Sequence, residues 1–302
     1  MKKLFCCLLT AFVAVNSYAQ SQPFKELLSD AQNGSVLAQW YVASCYESGK
    51  GVEKDDVEAL KWYRKAAEQG SEIAQFNMGL FYHHGKGGLT PNSEEAVVWY
   101  IKSAKQGFAG AQYQLSRCYM FGDGVSNSDA EAVRWCRKAA EQDFMAAQKM
   151  LGDCYFEGIG VTKNQTEAVK WFHKAAEQGS AEAQYNLGIC YAAGYGVTEN
   201  HAEAANWFYK AAEQNFAAAQ YNLGVCYAAG KGVSQNLPEA VKWWYKAAAQ
   251  EDAKALLNLG ICYQFGVGVV QNLEISVRYY KKSAEQGNED AKKRLNDLGV
   301  SW

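Results

Sequence analysis

The sequence predicts an all-α fold, a right-handed αα-superhelix of seven helix-turn-helix repeats of 36–37 residues with a C-terminal half repeat. Three observations predict it. The block from Ala183 to Gly188 recurs 36 residues later as Ala219 to Gly224. A cysteine and a tryptophan recur with the same step, and a Gly-x-Gly pair follows each copy of the block. A period of about 20–50 residues is the signature of stacked repeats. The recurring positions are Cys118, Cys154, Cys190, Cys226 and Cys262, and Trp99, Trp135, Trp171, Trp207 and Trp243.

The N-terminus predicts a secretory signal peptide over residues 1–19. Two lysines precede an apolar run from Leu4 to Val15, and small residues lead to a cleavage site after Ala19. The run is shorter than the roughly twenty residues that span a bilayer, so we expect a soluble periplasmic or secreted chain with no membrane insertion. The remaining chain divides into an N-terminal capping helix (20–35), seven repeats (36–287) and a C-terminal capping helix (288–302).

Each repeat is predicted to contain two helices. In the fifth repeat, Ala183, Leu187 and Cys190 fall on one stripe of a helix with a 3.6-residue period. Gly194 is expected to end this helix, since glycine accepts the left-handed conformation common at helix C-termini. Because the Gly-x-Gly pair follows a helix and not a strand, it predicts a turn instead of a phosphate site.

The second helix of each repeat is predicted to begin with a capping box. In this motif a side-chain oxygen, and a Glu three residues later, bind backbone N–H groups that lack helical partners. The seventh repeat has Ile275 in place of the Glu, and Glu251 replaces the glycine that ends most second helices. The pairs are Asp55/Glu58, Asn92/Glu95, Ser128/Glu131, Asn164/Glu167, Asn200/Glu203 and Asn236/Glu239.

Residues 181–214 carry a string that resembles the Sel-one-like repeat (SLR), a relative of the tetratricopeptide repeat. The string is Ala-x-Ala-Gln-Tyr-x-Leu-Gly-x-x-Tyr-x-x-Gly-x-Gly-Val, followed by Glu-Ala-x-x-Trp-Phe-x-Lys-Ala-Ala-Glu-Gln, with Asn206 as a departure from the pattern. The resemblance implies an αα-superhelix that acts as a scaffold or adaptor for other proteins, often in bacterial envelopes. It also implies two alternatives: an immunity or inhibitor protein for a toxic enzyme, and the penicillin-binding or β-lactamase activity attributed to a cysteine-rich branch.

The cysteines favour a packing role. Six of the seven that follow the signal peptide share one slot on the core stripe of the first helix. Packed helices lie about 8–10 Å apart or more, whereas a disulfide needs Cα atoms within about 7 Å, so bridges between these slots are excluded. Cys136 replaces an aromatic residue and could pair with Cys118 or Cys154. The paired cysteines of the cysteine-rich branch correspond to Ala176 and Gln184, which argues against β-lactamase activity.

Composition and spacing favour a binding protein over an enzyme. A net charge of −2 offers no basic excess for a phosphate backbone, so we expect no nucleic-acid partner. The four histidines, His83, His84, His173 and His201, lack further ligands at metal-site spacing. No Ser/His/Asp set stands out. We therefore predict no catalytic residue, metal or cofactor.

The partner is predicted to be another protein or an extended peptide, bound along the concave face that the first helices line. One stripe of each first helix lies about 120° from the core stripe on a helical wheel. In the fourth repeat this stripe contains Asp153 and Glu157. Its asparagines either grip a peptide backbone or satisfy neighbouring backbone groups, and its apolar residues predict an exposed interaction strip. The candidate partner-binding residues are Asn77, Asn186, Asn222 and Asn258, with Leu80, Ile189, Val225 and Ile261.

Overall fold

A computed structural model describes residues 23–301, which contain sixteen α-helices and no strand. The predicted signal peptide lies outside these residues. No helix between residues 23 and 301 combines the length and hydropathy needed to cross a membrane. The helices are α1 (Phe24–Gln32), α2 (Val36–Ser48), α3 (Asp56–Glu68), α4 (Glu72–His84), α5 (Ser93–Lys105), α6 (Ala109–Phe121), α7 (Asp129–Ala140), α8 (Met145–Glu157), α9 (Gln165–Glu177), α10 (Ala181–Ala193), α11 (His201–Glu213), α12 (Ala217–Ala229), α13 (Leu237–Ala248), α14 (Ala253–Phe265), α15 (Leu273–Glu285) and α16 (Glu289–Asp297).

The helices form two compact units, divided between residues 144 and 145. Within each unit, every helix packs against the helix that follows it in sequence. Helices α2 to α15 make seven pairs, in which the first helix of a repeat packs on the second helix of the same repeat. Such pairs bury their apolar faces only by stacking. The predicted all-α solenoid is therefore confirmed.

The second helices begin with the predicted side-chain caps, but the Glu half of the capping box is wrong. Asn164 accepts a hydrogen bond from the backbone N–H of Glu167 at 3.1 Å. The N–H of Asn164 itself donates to the carbonyl of Tyr155 at 2.8 Å, so it needs no carboxylate partner. Glu167 instead pairs with Lys170 at 2.5 Å. Asn272, which has no Glu three residues later, caps α15 equally well.

Glycine within the first helix permits close approach of the two helices of a repeat. A Cβ atom on Gly188 would overlap the ring of Phe208, which is itself buried. In the third repeat Ser116 and Cys136 occupy the corresponding slots, so a larger residue on one helix accompanies a smaller residue on the other. Cys136 is thus explained by packing. The seven cysteines of residues 23–301 are thiols, and the alternative of a Cys136 disulfide is wrong.

A chain of buried glutamines, which the sequence reading missed, links successive repeats within each unit. Gln184 donates from Nε2 to the carbonyl of Ala176 at 3.1 Å and accepts from Nε2 of Gln214 at 2.8 Å. Positions 176 and 184 correspond to the paired cysteines of the cysteine-rich branch. In this chain a hydrogen bond joins Gln184 to Ala176 instead. Leu256 fills the equivalent slot in the seventh repeat. The buried glutamines are Gln39, Gln75, Gln112, Gln148, Gln184 and Gln220.

Candidate protein-binding face

The eight candidate partner-binding residues lie on the first helices of their repeats, and all are half-buried. The predicted apolar strip is therefore partly exposed, and its role in binding stays a prediction. Its members are partly covered because each packs on the core of the following helices. Leu80 packs on the cluster that contains Leu115, Ile189 on the cluster that contains Phe208, and Ile261 on the cluster of α15 and α16. We name this surface, formed by the eight candidates and by Asp153 and Glu157, the first-helix face; each unit carries its own part of it.

Two of the four asparagines on the first-helix face bind side chains of the preceding repeat. Asn186 donates from Nδ2 to Oδ1 of Asp153 at 3.2 Å. Asn258 hydrogen-bonds the hydroxyl of Tyr221. From the sequence we expected these asparagines either to grip a partner's backbone or to bond neighbouring backbone groups. Asn186 and Asn258 instead bind neighbouring side chains. These bonds order the face within the second unit and hold its polar groups in fixed positions.

A cavity of about 150 Å³ opens on the first-helix face between α8 and α10. Its walls combine an apolar surface with two carboxylates and an amide. Asn186 and Ile189 are among the predicted binding residues, whereas Asp153 and Glu157 lie on the predicted stripe without having been singled out. The lining residues are Phe156, Phe172, Ile189 and Cys190, together with Asp153, Glu157 and Asn186.

The carboxylates around this cavity outnumber the ammonium groups that reach them. Lys149 bridges Asp153 at 3.1 Å and Glu182 at 2.8 Å. Burial raises the pKa of Asp153, and Lys149 offsets only part of that rise. Burial also raises the pKa of Cys190 to about 12, so its thiol stays protonated and is a poor nucleophile at neutral pH. The cavity is therefore acidic and apolar at once, with no activated cysteine.

A second cavity, of about 410 Å³, lies between α14 and α16 and includes the candidate residue Ile261. Charges of both signs surround it, from Asp290, Asp297, Lys293 and Arg294. These charges belong to the predicted C-terminal capping helix. The first-helix face of the second unit therefore has one acidic cavity near its beginning and one of mixed charge at its end.

The histidines make ordinary local contacts in the described part of the chain. His83 approaches Asp123 at 3.5 Å, and His201 approaches Glu199 at 3.2 Å. His173 lies 3.2 Å from the hydroxyl of Tyr191. Across residues 23–301, no group of three or more His, Cys, Asp or Glu side chains is arranged to hold a metal ion.

The family model described as the Sel1 repeat matches seven consecutive segments of this chain: residues 36–71, 73–108, 109–144, 146–180, 181–216, 217–252 and 253–288. The chain belongs to the Sel1 repeat family. The sequence resemblance is thereby confirmed. Sel1 repeat proteins are generally scaffolds without catalytic activity.

Two solved structures are similar to this Sel1 repeat chain over most of its length. One is a protective antigen of uropathogenic Escherichia coli with an SLR fold, 36% identical, with a TM-score of 0.88 over 92% of this chain. The other is a Sel1 repeat protein from Oxalobacter formigenes, 36% identical, with a TM-score of 0.72 over 91% of this chain and 79% of that one.

A shorter match joins 51 residues of this chain to a chitin synthase regulator of Saccharomyces cerevisiae at 43% identity. That match covers 17% of this chain and 7% of the regulator. This chain likewise spans only 59% of the E. coli antigen. The similarity to these longer proteins therefore covers only part of their length.

Proposed function

We propose that this Sel1 repeat protein is a non-catalytic scaffold or adaptor that binds another protein, or an extended peptide, along the first-helix face. The observation that carries the proposal is the repeated pairing of a half-buried asparagine with a half-buried apolar residue. On α10, α12 and α14 these pairs are Asn186 with Ile189, Asn222 with Val225, and Asn258 with Ile261. An amide beside an apolar side chain suits a polypeptide, which offers peptide groups and side chains in alternation.

The binding mechanism follows from the stacking of the repeats. Each first helix offers only a few contacts, and a partner that follows the face engages several of them in succession. The bond from Asn186 to Asp153 supports this view, because it orders polar groups before any partner arrives and so lowers the entropic cost of binding. We further propose a periplasmic or secreted location, which rests on the predicted signal peptide.

Affinity capture with matched bait variants tests the proposal. The chain from residue 20 onward serves as bait, beside an Asn222→Ala/Asn258→Ala variant. A control variant carries Lys210→Ala/Lys242→Ala, which changes two exposed side chains on second helices. Prey retained by the wild type and the control, and lost by the asparagine variant at an unchanged melting temperature, would support the proposal. Each retained prey is then purified and its stoichiometry measured by calorimetry.

Three outcomes would contradict the proposed function. Equal retention on all three baits would place the contact elsewhere on the surface. Absence of any prey that binds the purified chain would argue against a protein partner in the extracts used. A large fall in the melting temperature of the asparagine variant would assign the asparagines a structural role in place of a binding role.

A further inference from the structure

The cavity between α8 and α10 differs in charge from the corresponding positions of the following repeats. The slots of Asp153 and Glu157 on α8 are filled by Ile189 and Ala193 on α10. On α12 and α14 the same slots also hold uncharged residues. Among the four first helices of the second unit, α8 alone therefore brings carboxylates to this part of the first-helix face. The uncharged slots are Val225 and Ala229 on α12, and Ile261 and Phe265 on α14.

The cavity is suited in size to one side chain. Pockets for drug-sized ligands and cofactors have volumes of about 300–1,000 Å³, well above the value of about 150 Å³ found here. The rings of Phe156 and Phe172 and the side chain of Ile189 provide an apolar wall. Lysine and arginine side chains combine an apolar stem with a charged end, and so bury the stem while the charge stays in a polar environment. This combination matches the cavity.

The charges at the cavity favour a cation. Asp153 and Glu157 line it, and Glu182 joins Asp153 through the shared Lys149. Lys163 places its ammonium group 5.8 Å from the centre of the Phe156 ring. Even with both lysines counted, the three carboxylates retain one uncompensated negative charge. Hydrogen bonds between a cationic donor and a carboxylate are roughly twice as strong as neutral ones.

We infer that this cavity binds one arginine or lysine side chain of the partner polypeptide. The inference rests on the proposed function, and it adds a chemical requirement to one position of the first-helix face. The aliphatic stem packs on Phe156 and Ile189, and the cationic end donates hydrogen bonds to Asp153 and Glu157. Asn186 is a positioning residue, because its amide holds the Asp153 carboxylate through the bond of 3.2 Å.

A pair of small probes tests the inference directly. N-acetyl-arginine methylamide carries the charge, and N-acetyl-citrulline methylamide has nearly the same shape without it. Each is titrated into the methyl- and amide-labelled chain, and the Ile189 methyl and Asn186 side-chain amide signals are followed by NMR. We expect saturable shifts with the arginine probe, about tenfold weaker binding of the citrulline probe, and no response from the Ile261 methyl.

Matched variants test whether the preference for the arginine probe over the citrulline probe depends on the two carboxylates. Asp153→Asn/Glu157→Gln keeps the size of both side chains and is expected to abolish the preference for arginine. Glu213→Gln removes an exposed carboxylate that pairs with Lys246 and does not line the cavity, and is expected to retain the preference. The amide spectrum of each variant reports whether the fold is intact.

Equal binding of the two probes, an unresponsive Ile189 methyl, or a preference that survives the double variant would each overturn the inference. Its failure is distinguishable from failure of the proposed function. A captured partner combined with equal probe binding would overturn the cation pocket alone. Selective arginine binding without any captured protein would overturn the proposed adaptor function while the pocket itself stands.

Discussion

Replacing Gln184 by leucine is expected to destabilise the repeats by about 1–2 kcal/mol. The side chain is 6% exposed and makes two hydrogen bonds, one to the carbonyl of Ala176 and one from Gln214. Each such bond contributes roughly 1 kcal/mol net. No buried group is orphaned by the change, because the Ala176 carbonyl still accepts from the N–H of Gly179 at 3.0 Å, and the exposed Gln214 can turn to water. The apolar gain of leucine offsets part of the loss.

The chain supplies a reciprocal control at Leu256, which occupies the same slot in the seventh repeat and is 3% exposed. The carbonyl of Ala248 lies eight residues before it, as Ala176 lies before Gln184, and Gln286 follows the next second helix. Leu256→Gln therefore has both hydrogen-bond partners within the same pattern. We expect its free energy of unfolding to change by less than about 0.5 kcal/mol, since two new bonds replace lost apolar burial.

Urea unfolding followed by far-UV circular dichroism measures both variants. Arrays of repeats need not unfold in two states, so amide hydrogen exchange in α9 and α10 should accompany the bulk measurement. The loss is expected to concentrate there, because the bonds join α9, α10 and the residue that follows α11. If Gln184→Leu is as stable as the wild type by both methods, the glutamine chain contributes only volume, and the argument from hydrogen bonds is refuted.

Three further changes have expected outcomes. Gly188→Ala should lower stability by about 1–3 kcal/mol, because the added Cβ would overlap the Phe208 ring. Adding Phe208→Cys should restore part of that loss in thermal melts. An unchanged melting temperature of Gly188→Ala would contradict the packing described for these two residues. Glu251→Gly should raise stability by about 1 kcal/mol because residue 251 has φ 62°, and unchanged unfolding would refute that strain. The pKa of Asp153 is raised in the folded state. The stability that this shift contributes is fully present below the unfolded pKa of about 3.9, and it is lost as pH rises through the pKa of the folded state. Asp153→Asn should therefore be at least as stable as the wild type at pH 7, with the difference vanishing in acid; a less stable variant at pH 7 would contradict this sign.

The helices and their ends were predictable from short stretches of sequence. The stripe through Ala183, Leu187 and Cys190, the glycine at 194 and the cap at Asn164 each act over one or two helical turns. Because the same stretch recurs along the chain, each copy supports the assignment of the others. The family and its solenoid followed from that recurrence.

Contacts between distant residues depended on the tertiary structure. The Glu half of the capping box failed because the carbonyl of Tyr155, on another helix, takes the N–H that Glu167 was expected to bind. The apolar stripe proved half-buried because Ile189 packs on a core cluster that α11 and α12 form together. No local pattern marks the pairing of Gln184 with Gln214, which joins the two helices of one repeat across 30 residues.

The acidic cavity shows the same division. Asp153 and Glu157 are visible in the sequence as two carboxylates four residues apart on a helix, which is ordinary for a solvated surface. Only the packing of α8 beside α10 places them next to Phe156 and Ile189. Local preferences set where each helix lies in the chain, because they act through neighbouring residues. The chemistry of the first-helix face arises between repeats, where the approach of two helices decides which groups meet.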